Sequence, residues 1–180
     1  MATVRDTAAA IIIAVGPVDQ WKLQKLLYYA QAWSQAWRDE PLFQEPVEAW
    51  RWGPVVEVVY QDYKAFGKEP FAEPVSGNRK ALTGDECATL SGVLNRYGKL
   101  SGKDLAALTH EDEAWQEAWG RRQGLFRGRR PIGLPKMARS VRRSPFGQNR
   151  QESLVDLDET LVAKAAEGDG AALHELFRRP

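Results

Sequence analysis

Trp21–Trp37 reads WKLQKLLYYAQAWSQAW, and the spacing inside this stretch decides the fold. Leu23, Leu26, Leu27, Ala30, Trp33 and Trp37 recur at three- and four-residue steps, which lines one face of an α-helix with apolar side chains. Asp19 just before it has a side-chain acceptor suited to an N-cap, and Asp39 to Pro41 closes it. Lys22, Lys25 and Tyr29 fall largely off that stripe. The helix is therefore expected to carry a core spine and a second face open to a partner.

The flanking sequence is also mostly helical in pattern. Val4–Val15 is rich in alanine and isoleucine and must stop at Gly16-Pro17, since proline disfavours helix at the residue before it. From Leu42 to Trp52 the residues alternate, with Val47, Ala49 and Arg51 against Glu48, Trp50 and Trp52, which predicts at most a short strand or hairpin arm. Gly53-Pro54 follows, and proline suits the first turn of a helix whose face would be Val55, Val56, Val59, Tyr60, Tyr63 and Phe66. Residues 67–82 read as a surface loop with room for a short strand. Thr83 to Glu86, Ser101 to Asp104 and Thr109 to Asp112 each resemble a capping box, so three further helices are expected behind them. The second begins at Leu105 and the third runs through Trp115 and Trp119. All seven tryptophans lie between Trp21 and Trp119, so the core is expected there.

Charge divides the chain into blocks. Residues 1–120 hold 12 Lys/Arg and 17 Asp/Glu, residues 121–150 hold 10 Lys/Arg and no acid, and residues 151–180 hold 3 Lys/Arg and 7 Asp/Glu. Like charges resist collapse, so the Arg/Gly/Pro-rich segment 123–150 is expected to be a connector with a short helix near Pro135 to Arg143. Its charge suits phosphates or an acidic protein surface, of which residues 1–120 are one. Leu154, Leu157, Leu161, Leu173, Leu176 and Phe177 around Gly168-Asp169-Gly170 predict a helical hairpin over residues 151–180.

The composition argues for a globular protein, with 43% apolar and 27% charged residues. One cysteine, Cys87, gives no internal disulfide and fits a reducing cytoplasm. The apolar run Ala8–Val15 is too short for a bilayer and lacks a basic start, so neither a signal peptide nor a membrane segment is expected. HEDEAW from His110 holds three carboxylates, but adjacent helical residues face different ways and no second histidine stands four residues on. Cys87 sits on an apolar stripe, and neither a nucleophile elbow nor a glycine-rich phosphate loop occurs. The expectation is a protein without catalysis, metal or cofactor.

Four blocks then fit one family in order and spacing: KLQKLLYYAQAW at Lys22–Trp33, PLFQEPVEAWRWGPVV at Pro41–Val56, VYQDYKAFG at Val59–Gly67 and YGKLSGKDLAALTHEDEAW at Tyr97–Trp115. Together they resemble the Panacea domain, the SocA-like antitoxin family. The resemblance implies a mainly α compact helical bundle over residues 1–122 with a minor β hairpin, extended by a C-terminal helical segment. It further implies a type II toxin–antitoxin role in which a cognate toxin encoded nearby is neutralised by direct binding, in some members as an adaptor to a ClpXP-type protease. Relatives occur in phages and prophages. On this reading Lys22, Gln24, Lys25, Tyr28, Tyr29, Trp50, Trp52 and His110 are candidate partner-binding residues, and Gly53, Pro54, Tyr60, Ser101, Thr109 and Trp115 are structural motif positions. Two departures stand out: Trp52 replaces the usual tyrosine before Gly-Pro, and THEDEAW carries Asp112 and Ala114 where the motif has glutamate and proline. The alternative expectation is a phage or prophage regulator whose basic 121–150 segment contacts nucleic acid.

Overall fold

The computed structural model describes residues 1–120 and 129–148. It is mainly α, with one small antiparallel sheet. Helix α1 (Val4–Val15) starts in a capping box: Asp6 N donates to Thr3 Oγ1 at 3.2 Å, and Thr3 N donates back to Asp6 Oδ2 at 2.9 Å. Its alanines let neighbouring elements approach closely, and eight of its twelve residues are buried.

Helix α2 (Gln20–Arg38) is the centre of the molecule. Asp19 caps it, accepting from Lys22 N at 2.7 Å, and Asp39 ends it in the left-handed region (φ 58°) that aspartate tolerates better than most residues. The division into a core face and an open face does not hold. Every residue from Leu23 to Ser34 is buried, because α1, α4, α5, α7 and the sheet pack around the helix. Burial of its polar residues is offset by hydrogen bonds to an extended segment that has few ladder partners of its own. Gln31 Oε1 accepts from Leu42 N (2.7 Å) and Phe43 N (3.2 Å) while its Nε2 donates to Phe43 O (2.7 Å). Gln24 Oε1 accepts from Val56 N at 2.8 Å, and Ser34 Oγ donates to Glu40 O at 2.8 Å. The glutamines therefore hold residues 40–56 against α2.

Within that segment, strands β1 (Glu48–Trp50) and β2 (Gly53–Val55) form a tight hairpin. Pro54 thus lies in a strand rather than in the first turn of a helix. It sits on an edge strand, where its missing N–H costs no ladder bond. Helix α3 is correspondingly short (Glu57–Tyr63), begins from Val56 with no side-chain cap, and gives way to a 3₁₀ turn over Lys64–Phe66. The following loop touches the core through one antiparallel bridge, Val18 to Phe71.

Helix α4 (Gly84–Tyr97) starts in the expected Thr83–Glu86 capping box and α5 (Gly102–His110) in a Ser101–Asp104 box. The third expected box is absent from its position. Thr109 lies inside the last turn of α5, buried, with its hydroxyl donating to Ala106 O at 2.9 Å. Helix α6 (Glu113–Gly120) is capped by Asp112, whose Oδ1 accepts from Ala114 N at 2.9 Å.

The basic segment behaves differently from a connector. Arg130–Pro131 adds strand β3 to the outer side of β1, giving the order β2-β1-β3. Helix α7 (Leu134–Arg143) lays Met137, Ala138 and Val141 on α2 and is followed by the short α8 (Pro145–Gln148). Ile132, Met137 and Val141 belong to the same core as α1 and α2. Apolar residues at three- and four-residue steps, Met137, Ala138 and Val141, drive this docking despite the surrounding arginines. The hairpin expected over 151–180 lies outside the described residues.

Candidate functional site

Three sequence blocks meet around one buried lysine. Lys25 is only 2% exposed, and its Nζ donates to the Pro54 carbonyl at 3.2 Å. Burial pulls its pKa down to about 7 against the opposing pull of Asp19. Gly53 stands over it with φ at 102°. A Cβ there would lie 2.6 Å from Lys25 Cε and 2.9 Å from both Lys25 Nζ and Thr109 Oγ1, so a side chain is excluded by conformation and by space. His110, half-buried, stacks on Trp115 at 4.6 Å, and its pKa is lowered by burial and by Lys25. Trp115 Nε1 donates to Trp50 O at 3.1 Å, which ties α6 to the hairpin.

A second buried group extends from it. Tyr28 is fully enclosed near Asp112, whose own carboxyl is pushed up by burial. Tyr29 lies flat on Tyr97 at 4.0 Å, and Trp33 Nε1 donates to the Tyr97 hydroxyl at 3.2 Å. Gln24, Lys25, Tyr28 and Tyr29 are therefore internal. The exposure expected for Lys25 and Tyr29 is corrected by the central position of α2, which leaves only its first turn and its last four residues partly open.

What remains at the surface is that first turn and the hairpin. Trp21 (44% exposed) and Trp52 (55% exposed) stack at 6.3 Å with their planes 22° apart. The guanidinium of Arg51 lies over the Trp52 ring at 4.7 Å. Beside them Trp50 packs on Tyr60 at 5.0 Å and carries Arg129 over its ring at 4.7 Å, with its indole N–H donating to Glu48 at 2.8 Å. Lys22 is half-buried at the edge of this face. The first turn of α2 and the hairpin thus carry aromatic rings covered by arginines, the composition that dominates protein-binding hot spots. Of the expected partner-binding residues it brings together Lys22, Trp50 and Trp52, leaving His110 at the buried lysine. Ser101 is an exposed cap, while Gly53, Pro54, Thr109 and Trp115 shape the interior beneath the hairpin.

Sequence reasoning passed over Trp21, Arg51 and Arg129. Trp21 had a usable signal: it is the second residue after the Asp19 cap and stands off the apolar stripe. Arg129 had none, since its approach to Trp50 depends on β3 pairing with β1 across 80 residues of chain. Cys87 is buried and its thiol is pushed up to about 11, which suits packing rather than reactivity.

Three motif blocks thus converge on a buried lysine at the centre of a mainly helical domain. Its sequence matches the family described as Antitoxin SocA-like, Panacea domain, over residues 23–116, and the chain belongs to that family. Among curated proteins it is 31% identical over 116 residues to Antitoxin SocA of Caulobacter vibrioides, a match covering 58% of this chain and 60% of the relative. No solved structure matches. No helix among the described residues is long and apolar enough to cross a membrane.

Proposed function

We propose that this chain is the antitoxin of a type II toxin–antitoxin pair and neutralises its toxin by direct contact through the hairpin face. The observation that supports this most is the exposed Trp21–Trp52 stack beside Arg51. Two half-exposed tryptophans leave apolar area in water that an interface would cover, and they do so on rigid elements, so little order is lost on binding. The buried Lys25–Pro54 bond fixes the strand that follows Trp52. Contact of this kind serves either sequestration or presentation to a ClpXP-type protease.

A nucleic-acid role for the basic segment has less support. Arg129 pairs with Glu57, Lys136 with Glu117 and Arg143 with Glu113, and Arg142 donates to the Ala36 carbonyl. These cations already answer groups of the acidic body, leaving fewer to neutralise phosphates. The test is co-purification with the protein encoded beside this chain. The wild type is expected to retain it, and the Trp21→Ala/Trp52→Ala pair to lose it. Retention by the double variant, or no association with the wild type, refutes the assignment.

A further inference from the structure

We infer that the hairpin face takes an acidic segment of its partner, in which a carboxylate engages Arg51 while a neighbouring aromatic or proline side chain lies on the Trp21–Trp52 stack. This deepens the antitoxin reading and rests on it for the identity of the partner, though not for the chemistry of the face.

Several charges around the stack are already engaged. Asp19 accepts from Lys22 N at the helix cap and stands beside Gly102. Glu48 accepts the Trp50 indole N–H, and Glu57 pairs with Arg129. Asp19 and Glu48 thus each hold a neutral donor, and Glu57 is matched by a cation. Arg51 is the opposite case. It is exposed, and among the described residues no carboxylate lies within ion-pair distance of it. Its guanidinium lies over the Trp52 ring, which restrains the fork of N–H donors while the residue stays exposed. A fork of this kind binds a carboxylate through two parallel hydrogen bonds, and little side-chain entropy is left to lose because stacking has already ordered it.

The apolar half of the site follows from the rings. Trp52 stacks on Trp21 and carries Arg51 over its ring, and both indoles keep about half of their area exposed. Flat aromatic or proline side chains match exposed indole area better than branched aliphatic ones. A basic segment would meet Arg51 with like charge, whereas a carboxylate would pair with it. The complement is therefore acidic and aromatic together.

Short random peptides displayed on phage and panned against the immobilised full chain test this without the toxin. The expected result is enrichment of peptides in which Asp or Glu flanks Trp, Tyr, Phe or Pro. Their affinity should fall about tenfold or more in Arg51→Glu and in Trp52→Ala, the loss typical of one hot-spot contact. Arg5→Glu, remote from the face, should leave it unchanged, and circular dichroism should show all variants folded. No enrichment, enrichment of basic peptides, or binding that survives Arg51→Glu overturns the inference. So does a gel shift with single-stranded DNA, or self-association of the wild type, that Arg51→Glu abolishes. Growth rescue separates the two readings: rescue that persists in Arg51→Glu sinks the site chemistry alone, whereas peptide binding without any rescue by the wild type sinks the antitoxin role.

Discussion

Replacing Gly53 by alanine should destabilise the fold far more than one added methyl suggests. Two costs combine. At φ 102° an L-residue is strained, at about 1–3 kcal/mol for sparsely populated backbone conformations. The new Cβ would also stand 2.6 Å from Lys25 Cε and 2.9 Å from Thr109 Oγ1. Thr109 is buried in α5, so the lysine must move, and moving it breaks the Nζ bond to Pro54 O. Leaving the buried Pro54 carbonyl without its donor costs about 1–3 kcal/mol. The total is about 3–5 kcal/mol. For a domain of this size each kcal/mol moves Tm by about 2–4 °C, so a fall on the order of 10 °C is expected. Differential scanning calorimetry measures it, and the control is the same change in a Lys25→Ala background. There the lysine contact no longer exists while the backbone strain and the Thr109 contact remain, so the two substitutions should couple by about 1–2 kcal/mol. A Tm shift under about 2 °C, or equal shifts in both backgrounds, would refute the close packing of Gly53 on Lys25.

Other outcomes follow from the same packing. The folded-state pKa of Lys25, about 7, lies below its ordinary 10.5, so the unfolded chain binds more protons in between. The Lys25 contribution to stability should therefore rise from about pH 7 toward pH 10 and be flat below. Urea midpoints across that range should show the rise in the wild type and lose it in Lys25→Met. Met137→Ala should cost about 2–5 kcal/mol as a core truncation, measured by chemical denaturation, because α7 shares the core. A cost near zero would return residues 129–148 to the status of a connector. Trp21→Ala/Trp52→Ala should keep Tm within a few degrees, both rings being about half exposed, while weakening partner binding by about 2 kcal/mol or more in calorimetric titration.

The helices were legible because their signals are local. Val4–Val15, the Asp19 cap and the boxes at Thr83 and Ser101 all stand where spacing and capping chemistry place them. Two failures share one cause. Thr109 to Asp112 has the form of a capping box, yet tertiary packing buries Thr109 in α5 beneath Gly53 and lets Asp112 cap α6 alone. Periodicity likewise read α2 as two-faced, because it registers the polarity of Gln24, Lys25 and Gln31 but not the backbone groups of 40–56 that answer them. The helix expected near Pro135 to Arg143 is present as α7, and what charge hid is its docking, where Met137 and Val141 outweigh the surrounding arginines. At the surface, Trp50 and Trp52 could be named from their block. Their stacking on Tyr60 and Trp21, and the arginines that cover them, depend on how the hairpin lies against α2, α3 and β3.

Neutralisation through the hairpin face is tested most directly in growing cells. The protein encoded beside this chain is expressed alone, with the wild-type chain, and with the Trp21→Ala/Trp52→Ala variant held at equal abundance. Arrest in the first case, growth in the second and arrest again in the third are the predicted results. Absence of arrest, failure of the wild type to restore growth, or full rescue by the double variant would contradict the account.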